Sequence, residues 1–211
     1  MGEGSDVTVS SSRWDSVYRT RPIDQVSWYQ REPTVSLRLV TSNAVPGAAV
    51  IDVGAGASLL VDNLLTLGYR DVTLLDVSRA ALSHVRSRLG AFAENVAFVA
   101  DDLFEWSPDR RYDLWHDRAV FHFLNEPVDQ GRYVALAARA LCPGGVLVLG
   151  VYGTDGPTHC SGLEVQRFSS DDLERVFSSD FVLEHTEHEQ HVTPDGTAQS
   201  FIWAVLRRRE S

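Results

Sequence analysis

The stretch Val50-Ile51-Asp52-Val53-Gly54-Ala55-Gly56-Ala57-Ser58 runs from an apolar segment through a glycine turn into a helical pattern. Glycine lets a backbone bend tightly and approach a ligand with no Cβ in the way. This marks Gly54, Ala55 and Gly56 as a candidate ligand turn. Twenty residues after Gly56, Asp76 closes the apolar run Thr73-Leu74-Leu75-Asp76, followed by Val77. An acid at that place accepts hydrogen bonds from both hydroxyls of a ribose. The plainer alternative is a tight turn whose acid caps the next helix. Strand, glycine turn, helix, strand and terminal acid in this order point to a nucleoside site.

A dinucleotide-binding turn requires a third glycine at position 59 so that a pyrophosphate can lie against the helix, and Leu59 stands there. A second acidic pair, Asp101-Asp102, follows a third apolar run. Asp102 is suited to an adenine amino group, and Leu103 or Phe104 to the face of a base. Two acids without a phosphate clamp suit a nucleoside cofactor lacking phosphates, and S-adenosylmethionine fits.

Further residues suggest an acceptor side. Trp14, Tyr18, Trp28 and Tyr29 form an aromatic-rich segment, and aromatic faces attract a cation such as a sulfonium. Trp14 and Tyr18 share one face if their segment is helical. The alternative is a set of rings that staples an N-terminal helix to the domain. His116-Asp117-Arg118 ends a fourth apolar run, where open α/β sheets place ligands. There Asp117 can hold a cationic amine of the cofactor or orient a substrate. His122 is either a general base of near-neutral pKa or a core histidine. Methyl transfer depends above all on in-line positioning, so a dedicated base is not required. Tyr152, Cys160 and His191 complete the expected acceptor pocket with Tyr29 and His122. His185, His188 and His191 lie on a segment read as strand and turn, where residues three apart face opposite ways, so no metal is expected.

The elements that must hold these residues alternate. Strands are predicted over 48–53, 72–75, 96–100, 112–116 and 146–152, with helices over 57–67, from a Ser78 cap through Leu89, and over 127–140. A helix over 32–43 precedes them. A functional loop over 153–166 follows, then a helix to Phe177 begun by Ser169 with Asp172, and two strands, 181–187 and 198–207, joined through Pro194-Asp195-Gly196. Repeated βα units with a terminal hairpin predict an α/β fold with a doubly wound, mainly parallel sheet and an antiparallel edge.

The residues Asp52-Val53-Gly54-Ala55-Gly56, Asp76, Asp102 and Pro143-Gly144-Gly145 resemble the motif series of class I S-adenosylmethionine-dependent methyltransferases. More narrowly, Trp14-Asp15-Ser16-Val17-Tyr18, Trp28-Tyr29 and Asp117-Arg118-Ala119-Val120-Phe121-His122 look like a small single-domain group related to eukaryotic protein-lysine methyltransferases. The resemblance covers about residues 13–207. It implies a seven-stranded Rossmann-like methyltransferase sheet. It also implies cofactor contacts from Trp14, Tyr18, Trp28, Gly54, Asp76 with Val77, and Asp102 with Leu103. Arg118 corresponds to the group's lysine after the fourth-strand acid and is expected, with Asp117, to bind the cofactor, and Ser58 replaces the family's usual third glycine. The expected layout is a flexible lead-in over 1–12 and one methyltransferase domain over 13–211. Within it, 13–45 form a helical cofactor lid, 46–152 the cofactor core, and 153–211 the substrate loop and terminal strands. The implied reaction methylates an O, N or S nucleophile of a small molecule and releases S-adenosylhomocysteine. A protein-lysine methyltransferase, a nicotinamide-dependent oxidoreductase and a non-catalytic cofactor-binding module remain alternatives.

Composition narrows the partners. The 211 residues carry 19 Arg and no Lys against 29 acids, a net charge of −10, which is a poor match for a nucleic-acid backbone. Hydrophobic residues at 44% and charged residues at 23% are globular values and disfavour disorder. No secretory signal, myristoylation pattern or apolar run long enough for a membrane span is seen. With Cys142 and Cys160 as the only cysteines, a reduced, cytoplasmic monomer or homodimer is expected.

Overall fold

The computed structural model describes residues 11–210. Its helices are α1 (Ser11–Thr20), α2 (Thr34–Asn43), α3 (Leu60–Thr66), α4 (Arg79–Leu89), α5 (Pro127–Ala140) and α6 (Ser170–Phe177). Its strands are β1 (Val50–Val53), β2 (Val72–Asp76), β3 (Val96–Ala100), β4 (Tyr112–Arg118), β5 (Leu141–Tyr152), β6 (His159–Cys160), β7 (Leu163–Glu164), β8 (Phe181–Val192) and β9 (Ala198–Arg208). Seven strands make one sheet in the order β3-β2-β1-β4-β5-β9-β8, parallel except where β9 pairs with β5 and β8.

Alternation along the strands divides the core. Val50, Leu74, Leu114 and Val148 face Tyr18, Leu39, Leu64 and Val85 of α1–α4. Ile51, Leu75, Trp115 and Leu149 face Tyr133 of α5 and Phe177 of α6. Both faces are covered, so the strands read as continuous apolar runs. Local signals set the helix ends. Ser78 Oγ accepts from the Ala81 N–H at 3.1 Å, Pro127 opens α5, and Ser169 with Asp172 forms a reciprocal capping box.

The strand order reverses between β1 and β4, and such switch points are where open α/β sheets bind ligands. Register aligns Val53 with both Leu75 and Asp117. Gly54, Asp76 and Arg118 therefore leave the sheet side by side.

Several predicted boundaries move. Residues 55–58 form a turn, with the Ser58 N–H on the Ala55 carbonyl at 3.1 Å, so α3 starts only at Leu60. Of the expected lead-in over 1–12, Ser11 and Ser12 belong to α1, and 1–10 lie outside the described residues. The predicted loop 153–166 contains the β6–β7 hairpin. Strand β8 continues five residues past Glu187, through Val192, because its pairing with β9 is unbroken as far as Ala198. Among the described residues, no helix is long and apolar enough to cross a membrane.

Candidate active site

A cleft opens over the switch point, floored by Val53, Gly54 and Leu75 and walled by the loops that follow β2, β3 and β4. Gly54 and Gly56 have φ of +63° and +52°. A Cβ on Gly54 would meet Val120 Cγ2 at 1.9 Å, and one on Gly56 would meet Tyr18 Oη at 2.3 Å. Both glycines are therefore required twice, by backbone angle and by close approach.

Asp76 is held by that turn. Its Oδ2 accepts from the Gly56 N–H and its Oδ1 from the Ser78 N–H, each at 2.7 Å. Burial pushes its pKa up to about 6, even though both N–H bonds favour the charged form. A carboxylate offers about four lone-pair sites, so acceptor capacity remains toward the cleft, which Asp76 lines with Val77. On the β3 side, Asp102 accepts from the Phe104 N–H at 2.8 Å. Asp102, Leu103 and Phe104 form that wall.

An aromatic roof closes the other side. Trp14 meets Trp28 edge-on at 5.6 Å and Phe123 at 5.9 Å between ring centroids. The Trp28 indole N–H donates to Tyr18 Oη at 3.1 Å. Helix α1 is fixed above α4 by Asp15, which accepts from the Ser78 hydroxyl at 2.7 Å and the Ala80 N–H at 3.0 Å. These bonds hold Asp15 ionised and its pKa below the usual carboxylate range. The expected lid thus lies over the glycine turn.

Other expected residues fall elsewhere. Asp117 is fully buried and points away from the cleft. It accepts from the Val120 and Phe121 N–H groups at 2.9 and 3.2 Å and from the Tyr133 hydroxyl at 2.6 Å. It shapes the turn after β4, in which Ala119 has φ of +73°, and is not among the residues that line the cleft. His122 is also fully buried, packed against Phe123 and Tyr152 with ring centroids 4.6 Å apart in each case. Burial and the nearby Arg118 charge push its pKa down to about 3, which leaves the imidazole neutral and too weak a base for near-neutral pH. Tyr152 is buried behind the cleft, its hydroxyl against the Cys160 thiol, and Cys160 does line the cleft. His191 Nε2–H donates to the Ser27 carbonyl at 2.7 Å and so latches the lid segment. Tyr29 and Ala55 line a smaller adjoining cavity behind the Tyr18–Trp28 pair.

Arg118 borders both cavities. Its Nη1 donates to the Trp28 carbonyl at 2.9 Å, and its guanidinium lies over the Phe201 ring at 4.8 Å. Sequence reasoning missed Phe123, Val120 and Leu124 in the cleft wall, since no periodicity marks the short 3-10 turn that carries them. It also missed a buried relay from Ser36 through His116 to Asp52, at 3.0 and 2.7 Å, which ties α2 to β4 and β1.

Comparison with known proteins agrees with this arrangement. Residues 50–145 match the model of a methyltransferase domain. The chain is similar to malonyl-[acyl-carrier protein] O-methyltransferase 2 of Ilyobacter polytropus, at 23% identity across 63% of this chain and 50% of that protein. The fold matches the structure of Burkholderia thailandensis 1,6-didemethyltoxoflavin-N1-methyltransferase, with a TM-score of 0.72 and 22% identity over 94% of this chain and 87% of that one. It also matches a structure concerned with conversion of a disulfide bond into a thioacetal group during echinomycin biosynthesis, with a TM-score of 0.76 and 22% identity over 95% and 93% of the two chains. The chain spans about half the length of the curated relatives it matches first. The matched domain and the fold support a class I S-adenosylmethionine-dependent methyltransferase.

Proposed function

We infer that the chain transfers a methyl group from S-adenosylmethionine to an O, N or S atom of a small molecule. The observation that carries this reading is Asp76, seated on the Gly56 N–H and lining the cleft at the switch point. The residues fit the cofactor. Asp76 and Asp102 offer acceptors for ribose hydroxyls and an adenine amino group, Leu103 and Phe104 offer an apolar wall, and Gly54 admits a close approach. When bound, S-adenosylmethionine supplies a methyl group on a sulfonium. The Trp14, Tyr18 and Trp28 rings attract that positive charge and exclude water above it. Positioning by the lid and the turn after β4 is the chain's main contribution to the reaction. With the cofactor seated there, the chain would hold the acceptor atom in line with the methyl group, S-adenosylhomocysteine would be the product, and the acceptor's proton would pass to solvent.

The small-molecule reading draws on the roofed cleft and on the similarity of the fold to 1,6-didemethyltoxoflavin-N1-methyltransferase. Calorimetric titration with S-adenosylhomocysteine and with NAD tests the cofactor. Binding of the former alone is expected, and binding of NAD alone refutes the assignment. An acceptor screen that reads S-adenosylhomocysteine release then tests turnover. Label from the cofactor appearing on protein and not on small solutes would point to a protein acceptor instead.

A further inference from the structure

Among the described residues that line the cleft, Arg118 is the one with buried side-chain nitrogens that have no hydrogen-bond partner: its Nε and Nη2. The remaining nitrogen, Nη1, is committed to the Trp28 carbonyl at 2.9 Å, and the Phe201 ring at 4.8 Å fixes the plane of the group. Nε and Nη2 lie on the same edge of a guanidinium, and that edge presents two parallel N–H groups matching the two oxygens of a carboxylate. No carboxylate in the described chain answers it. Glu189 is the nearest acid acting on Arg118, but its oxygens accept from Gln30 Nε2 at 2.8 Å and Trp203 Nε1 at 2.7 Å. Asp52 is taken by His116 and Asp117 by Tyr133 and two backbone N–H groups. A buried cation without a counter-charge is costly, so the unpaired edge is a binding edge.

Resting on the methyltransferase reading, we propose that the Nε/Nη2 edge of Arg118 binds a carboxylate of the methyl acceptor, so that the substrate is an organic acid. A carboxylate also occurs on the amino-acid end of the cofactor. Arg118 leaves β4 on the side of β5 and β9, against Phe201 and near Tyr152 and Cys160, away from Asp76 and Asp102 over β2 and β3, and comparing S-adenosylhomocysteine with 5′-methylthioadenosine tells the two carboxylates apart. The neutral, apolar surroundings supplied by Phe201 and Phe123 suit a flat acid.

The probe is benzoate, with benzamide as its neutral isostere, titrated into full-length protein saturated with S-adenosylhomocysteine and read by tryptophan fluorescence. The wild type is expected to bind benzoate about 10-fold or more tightly than benzamide, as for a charge-assisted hydrogen-bonded pair. Arg118→Gln should abolish the preference, and Arg118→Lys, which keeps the charge but not the fork, should reduce it. Because Arg118 Nη1 also supports the lid at the Trp28 carbonyl, any loss of S-adenosylhomocysteine affinity in either variant should be matched by an equal loss for 5′-methylthioadenosine. Equal binding of the two probes by the wild type overturns the proposal even if neither variant folds. So does a loss of S-adenosylhomocysteine affinity in Arg118→Gln with 5′-methylthioadenosine affinity unchanged, which assigns the edge to the cofactor's carboxylate. Failure of the wild type to bind S-adenosylhomocysteine at all would instead refute the methyltransferase reading itself.

Discussion

The hydroxyl of Tyr18 rests on the α-carbon of Gly56, so closely that a Cβ there would stand 2.3 Å from Tyr18 Oη. The same Gly56 donates its N–H to Asp76 at 2.7 Å. Lid, glycine turn and the Asp76 carboxylate are thus one mechanical unit, and a change in any of them is felt by the other two.

Gly56→Ala tests this unit. The substitution imposes left-handed backbone on alanine, at about 1–2 kcal/mol, and drives Tyr18 off the turn. A lower thermal midpoint, a changed Trp28 emission and weaker S-adenosylhomocysteine binding are expected together. Gly47→Ala is the control, because a Cβ there meets nothing within 4 Å and the residue lies away from the cleft. A Gly56→Ala protein that keeps wild-type affinity and midpoint removes the coupling.

Asp76 makes cofactor binding depend on pH. Its folded pKa of about 6 lies above the ordinary 3.8, so the native state holds more protons than the unfolded one between those values. The group therefore lowers stability as pH rises through that window, and the loss is complete above it. Ribose hydroxyls donate to the ionised form, so affinity for S-adenosylhomocysteine should fall as pH drops below about 6. Asp76→Ala should weaken binding about 10- to 150-fold at neutral pH and flatten the profile. Calorimetry between pH 5 and pH 8, at roughly one-unit intervals about this transition, checks both statements; an equally steep profile in the variant removes Asp76 as the titrating group.

How much of this was legible in the sequence depended on the range of the interaction. Ser78, Pro127 and the Ser169–Asp172 box act within one helical turn, and the helices they open begin where those residues predict. The placement of Asp76 was legible because an apolar run ends on it twenty residues after the glycine turn, and the Gly56 N–H does meet its carboxylate. The role of Asp117 was not, since its carboxylate is claimed by Tyr133 across the α5 interface, sixteen residues away. His191 changed meaning for the same reason. Only the pairing of β8 with β9, and a lid carbonyl 164 residues distant, turn it into a latch.

Asp117 should behave as a structural residue. Tyr133→Phe removes one bond to its carboxylate and leaves a buried charge with fewer donors, at about 1–3 kcal/mol. Asp117→Ala, which strands the Val120 and Phe121 N–H groups as well, should cost more than Tyr133→Phe. Chemical denaturation measures both. If Asp117→Ala keeps wild-type stability while abolishing cofactor binding, the carboxylate belongs to the site after all.

The aromatic roof separates packing from electrostatics. Trp14 and Trp28 meet edge-on at 5.6 Å, and Phe123 backs Trp14 at 5.9 Å, so each ring has a packing role whatever lies beneath. A sulfonium beneath the rings gains about 0.5–2 kcal/mol from each aromatic face that a neutral sulfur does not. Trp14→Leu and Trp28→Leu keep apolar bulk and remove the π-face, although Trp28→Leu also removes the N–H donated to Tyr18 Oη. Both variants should therefore lose more affinity for S-adenosylmethionine than for S-adenosylhomocysteine, by about 2- to 30-fold. The difference between ligands cancels any general loosening of the lid, because both share the nucleoside and the amino-acid tail. Calorimetry on folded variants, with their midpoints recorded, supplies the comparison. Equal losses for the two ligands would mean that the rings only hold α1 in place and that the roof does not recognise charge.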